Sequence, residues 1–126
     1  MNIWIYLLIT TLTIPSIMIG IGSYFTKKPP TKINTIYGYR TSMSMKNQNT
    51  WKFAHNHCGK IWQTTGLYML PPTILTMILI AQKQTHTISI YTCILITIQT
   101  IILIGTIIPT EKALKNNFDK NGNPKK

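Results

Sequence analysis

The chain has 126 residues, which leaves room for one folding unit and little more. Thirteen Lys and Arg stand against two Asp and Glu, a net charge of +11. In a water-soluble domain that balance would raise nucleic-acid binding. No zinc-finger, recognition-helix or RNA-binding signature accompanies it, and nucleic acid is not an expected partner.

The charge instead borders three long uncharged stretches, residues 3–25, 61–81 and 87–109. A helix needs about 20 apolar residues to cross a ~30 Å hydrocarbon core, and each stretch is long enough. Twelve of the thirteen basic residues fall in the first connection or the tail, leaving Lys83 alone in the second connection. With three spans those two segments share a side, and the Lys/Arg bias makes that side cytoplasmic. The expectation is an all-α integral membrane protein filling residues 1–126. It has three transmembrane helices, a cytoplasmic loop (26–60) holding an amphipathic interfacial helix, and a cytoplasmic tail (110–126). The N-terminus and the turn at residues 82–86 face outward. Lysines beside the spans should also attract anionic lipid headgroups.

In the first span, Met1-Asn2 lacks a basic n-region and the apolar run is longer than a signal core, so the span is expected to be retained. Pro15 should weaken or kink it. Thr13, Ser16, Gly20 and Ser23 recur at helical spacing and read as a seam of small residues for helix contact.

The loop opens on Lys27-Lys28-Pro29-Pro30 and continues through a Tyr37-Gly38-Tyr39-Arg40-Thr41 run. Asn47 or Asn49 can cap a following helix. In that helix Trp51, Ala54, Cys58 and Ile61 form an apolar stripe, with Lys52, Asn56 and Lys60 on the polar face. Such a helix is expected to lie along the inner membrane surface.

The second span repeats the seam with Gln63, Gly66, Leu70 and Thr73, and the third with Ser89, Thr92, Gln99 and Thr106. These seams read first as the contacts of a three-helix bundle, with a peptide contact or a homo-oligomer as alternatives. Pro71-Pro72 removes two donors from the second span and orphans the carbonyls of Leu67 and Tyr68. Gln63, Tyr68, Pro71, Pro72 and Gln99 therefore mark a possible pocket at mid-membrane depth. Pro109-Thr110 is expected to end the third span, and residues 121–126 to fray.

Chemistry is sparsely represented. Glu111 and Asp119 are the two carboxylates, and neither lies in a span, which disfavours ion-coupled transport and paired-carboxylate catalysis. His55, His57 and Cys58 lack the partner ligands of a zinc site and the orienting group of a nucleophile pair. They read as interfacial histidines and a packed cysteine, with no metal, no cofactor and no catalytic residue. Cys58 and Cys93 are expected on opposite sides of the bilayer. Arg40 is the one Arg, suited to bidentate binding of a lipid phosphate, of Glu111 or of an acidic partner.

The order Tyr37-Gly38-Tyr39-Arg40-Thr41, then Met45-Lys46-Asn47, Trp51, Ala54 and Gly59-Lys60, resembles the SdpI family of bacterial membrane immunity proteins. The segment from Pro109 through Glu111 to Leu114 and the ending Phe118-Asp119-Lys120-Asn121-Gly122 are similar to that family as well. The resemblance implies a three-span C-terminal module in the bacterial cytoplasmic membrane. It also implies a non-enzymatic role in resistance to a membrane-active toxin peptide, or else capture of a cytoplasmic repressor as a signalling anchor. A lipid-modifying enzyme or a small transporter subunit is a weaker alternative.

Overall fold

In the computed structural model, Asn2 caps the first helix by accepting the Trp4 N–H at 2.9 Å, and α1 runs over Ile3–Lys27. The structure describes residues 2–34 and 36–125. Met1, Thr35 and Lys126, the last of these part of the basic tail, lie outside the described residues. Three more helices follow: α2 over Gln48–Leu79, α3 over Thr85–Gly105 and α4 over Ile107–Asn117. The described residues form no named strand. An isolated bridge joins Phe118 to Pro124.

Pro15 sits inside α1 without ending it. The face of α1 that packs is Thr11, Pro15, Met18, Gly22 and Phe25, not the expected seam. Thr13, Ser16 and Gly20 are exposed, and a Cβ at Gly20 would meet nothing within 4 Å. Both sets have 3–4 spacing, so periodicity could not separate them. Thr13 can face outward because its hydroxyl donates to the Ile9 carbonyl, hiding its polarity in its own helix. Close approach is set by Gly22 and Gly59, where added Cβ atoms would lie 2.7 Å from the other helix's backbone oxygen.

The expected interfacial helix and second span are one continuous helix, α2, whose 32 residues extend ~48 Å. The amphipathic stripe is present but not offered to a membrane: Trp51, Ala54 and Cys58 are buried, and Ala54 and Cys58 pack with Tyr39, Leu114 and Phe118. The helix passes through Pro71 and Pro72, and the Thr76 hydroxyl donates to the Pro72 carbonyl at 2.8 Å. The helix expected over residues 87–109 breaks earlier than expected. Helix α3 stops at Gly105, Thr106 forms the joint, and Pro109 lies in the first turn of α4, where no N–H is required of it. The seams of α2 and α3 hold, with Gly66, Thr73, Thr92, Gln99 and Thr106 buried.

Two apolar clusters sit at opposite ends. Met77, Ile80 and Ile88 close the end near Trp4, whose indole N–H donates to the Met77 carbonyl at 2.8 Å. Tyr39, Ala54, Cys58, Leu114 and Phe118 form the other, under the basic loop. Between them Gln99 donates through Nε2 to the Thr11 carbonyl and the Thr73 hydroxyl, each at 3.0 Å, tying α1, α2 and α3 together.

Helix α1 and the run Thr85–Asn117 are long and apolar enough to cross a membrane. Only 22% and 17% of their most apolar windows are buried, unlike the core helices of a soluble protein. Ile9, Ile17, Ile94, Ile101 and Ile104 are all exposed, as is Leu79 on α2. An apolar surface this continuous is suited to a bilayer.

Candidate functional site at the basic end

The motif run folds back onto the start of α2, and its backbone is fixed almost group by group. Asn47 caps α2 in a reciprocal box: its Oδ1 accepts the Thr50 N–H at 2.9 Å, and its own N–H donates to the Thr50 hydroxyl at 3.0 Å. The Thr50 hydroxyl in turn donates toward the Ser44 carbonyl at 3.0 Å. Ser44 is fully buried, and its hydroxyl donates to the Tyr39 carbonyl while accepting the Thr41 N–H, both at 2.9 Å. The Trp51 indole donates to the Pro30 carbonyl at 2.8 Å, and the Gln48 amide donates to the Thr31 carbonyl.

His55 is the centre of this arrangement. Its Nε2 accepts the Tyr39 N–H at 2.9 Å and its Nδ1 lies 2.8 Å from the Trp51 carbonyl. These two partners admit only the neutral ring protonated on Nδ1. Burial pushes its pKa below the ordinary value, opposed by the hydrogen bond to the Trp51 carbonyl. The ring packs 4.2 Å from Trp51 and edge-on to Phe25 at 4.9 Å. Gly38 crosses directly above it with φ +105°, and an added Cβ would lie 2.5 Å from His55 Nε2. His55 is thus a buried structural residue and not an interfacial one. Its acceptor role spans sixteen residues and left no mark in local spacing.

Tyr39 ties the loop to α4, its hydroxyl donating to Glu111 Oε1 at 2.8 Å. Burial raises the phenol's pKa, and the Glu111 carboxylate adds to the effect. Cys58 is packed, as expected, and burial pushes its thiol up to about 12. His57 stacks on Phe53 at 5.8 Å, and burial, then Lys60, lowers its pKa. Among the described residues no three His, Cys, Asp or Glu side chains come together as a metal site.

The tail does not fray over its described residues. Asp119 accepts the N–H groups of Asn121 and Asn123, each at 2.9 Å, which holds its pKa below the usual carboxylate range. The Gly122 carbonyl accepts from the Asn47 side chain at 2.7 Å, so the tail locks the cap of α2.

Two concavities flank this staple. One, of about 350 Å³, has an apolar interior of Ile21, Phe25, Trp62 and Ile107, with Arg40 and Thr41 on its polar side. The other, of about 710 Å³, is basic, lined by Lys27, Lys28 and Lys52 beside Tyr24 and Tyr37. Arg40, Tyr37 and Lys60 are exposed, Met45 is half-buried, and Gly59 is buried at the α1 crossing. Of the possible mid-membrane pocket, Tyr68, Pro72 and Gln99 line one groove between α2 and α3, whereas Gln63 and Pro71 do not line it.

An all-helical bundle with a lipid-suited apolar surface and a rigid basic cap at one end defines a membrane protein. Residues 31–110 match the SdpI/YfhL protein family, and the chain belongs to that family. A relative from Bacillus subtilis (strain 168), described as uncharacterized protein YfhL, is 37% identical over 51 residues. That match takes in 40% of this chain and 46% of the relative, so the chain spans about half the length of the curated relative it matches. No solved structure matches.

Proposed function

We propose that this protein is a non-enzymatic immunity protein of the bacterial cytoplasmic membrane, protecting the cell against a membrane-active toxin peptide. The observation that carries the reading is the family match, which covers the Tyr37–Lys60 motif together with α2 and α3. The chain crosses the bilayer three times, through α1, the apolar part of α2 from Ile61 onward, and α3. From Ile61 to the end of α2 the helix is uncharged and rises ~28 Å, close to the thickness of the hydrocarbon core. The basic cap lies inside and the turn carrying Lys83 outside, following the Lys/Arg bias. Toxin is met within the bilayer and at the outer turn, while Tyr39, Arg40, Thr41 and Trp51 brace the inner end.

The basic concavity at Lys27, Lys28 and Lys52 favours a second reading, an anchor that captures an acidic cytoplasmic regulator. Growth protection in a toxin-sensitive bacterium separates the two. Immunity tolerates Gln at Lys46, Lys52 and Lys60 and is lost on changes in the spans and outer turn. A capture scaffold gives the reverse pattern.

A further inference from the structure

The groove between α2 and α3, about 280 Å³, is walled by Leu95, Ile98, Ile102 and Met69, with Thr65, Tyr68, Thr73 and Gln99 as its polar members. Gln99 is 3% exposed, and its amide assignment is fixed: only Nε2 can serve the Thr11 carbonyl, which has no hydrogen to give. Oε1 is therefore a buried acceptor, and it has no donor among the described residues. Such a group costs about 1–3 kcal/mol when left unpaired, and at this depth acyl chains supply no donor.

The missing donor is present on the same groove. Tyr68 is 75% exposed and lines the groove beside Gln99, so its ring and hydroxyl are open to a neighbouring molecule. A two-fold axis along the membrane normal would place each copy's Tyr68 against the other's groove, so that one contact made twice satisfies both. The space is sufficient, because an apolar cavity of about 150 Å³ already admits a benzene ring. Gln99 is a lining residue of the groove, so a hydroxyl entering it approaches an amide whose Nε2 is already engaged and whose Oε1 is not.

We infer that a second copy of this chain covers the groove, forming a symmetric dimer in which Tyr68 of each copy enters the α2–α3 groove of the other and donates to Gln99. The inference requires α2 and α3 to lie in the bilayer and does not depend on the immunity reading.

The test is energy transfer in liposomes between full-length chains carrying a donor or acceptor fluorophore at the C-terminus, outside the groove. The wild type should show transfer that rises with protein-to-lipid ratio. Y68F and Q99L should each weaken association about 3- to 20-fold, the range of hydrogen bonds between membrane helices. The double variant should be no weaker than the weaker single one. Q99L also removes bonds to Thr11 and Thr73, so Y68F, which leaves every bundle contact in place, carries the test if Q99L misfolds. A monomeric wild type, a dimer indifferent to Y68F, or strictly additive losses would each overturn the proposal. A monomeric wild type whose toxin protection fails in Y68F would also overturn it, by assigning the groove to the toxin.

Discussion

Replacing Gly38 with Ala tests whether the loop is truly fastened to α2. At φ +105° an L side chain is strained, at a cost of order 1–3 kcal/mol. The new methyl would also stand 2.5 Å from His55 Nε2, the atom that accepts the Tyr39 N–H. Displacing the ring leaves that buried donor unpaired, for a further ~1–3 kcal/mol. The expected loss is about 2–6 kcal/mol, which would release the Tyr39, Ser44 and Trp51 contacts together. Detergent-solubilised protein would be unfolded by titration with a denaturing detergent and followed by far-ultraviolet circular dichroism. G20A, with open space around its Cβ, serves as the control and should shift the transition little or stabilise it. A G38A transition within about 0.5 kcal/mol of the wild type, the scale of a neutral surface change, would refute the reasoning.

Three further outcomes are expected. G59V should cost about 1–3 kcal/mol by forcing α1 from α2, since even a Cβ would lie 2.7 Å from the Gly22 carbonyl oxygen; the same titration reads it. His55 is held neutral with a lowered pKa, so its contribution to stability is full above ~6.5 and is lost as pH falls below that value toward the folded pKa. Unfolding transitions measured from pH 8 to 5 should therefore weaken for the wild type and flatten in His55→Gln. A maleimide at pH 7.5 should leave Cys58 unlabelled in the folded chain and label it after unfolding, as peptide mass spectrometry will show; a labelled Cys58 on the native chain would contradict its burial.

What could be read from sequence was whatever is written within one or two helical turns. An Asn cap at 47 or 49, the Trp51–Ala54–Cys58 stripe and the Gly66, Thr73, Thr92 and Gln99 seams follow from spacing and residue chemistry, and the structure uses Asn47 with the stripe and the seams. The packing face of α1 did not, because two faces share a 3–4 rhythm and small size marked the wrong one. A lipid-facing Thr that bonds its own helix looks the same in sequence as one at a helix contact. The cover over the apolar stripe of α2 is not legible locally, because Tyr39, Leu114 and Phe118 return to it only through tertiary contacts. For the same reason the tail looked free, although Asp119 folds it and Asn47 holds it from 75 residues away. His55 and Ser44 hold the cap through backbone groups of the loop, which no residue-type pattern announces.

The central claim is protection of the membrane, and membrane potential reports it most directly. Sensitive cells expressing the chain would be exposed to a sporulation-delaying-type toxin peptide and followed with a potential-sensitive dye beside cells lacking it. The potential should hold in expressing cells and collapse in the others, with R40A protection reduced or lost at equal abundance. Equal collapse with and without the wild-type chain, at verified membrane expression, would contradict it.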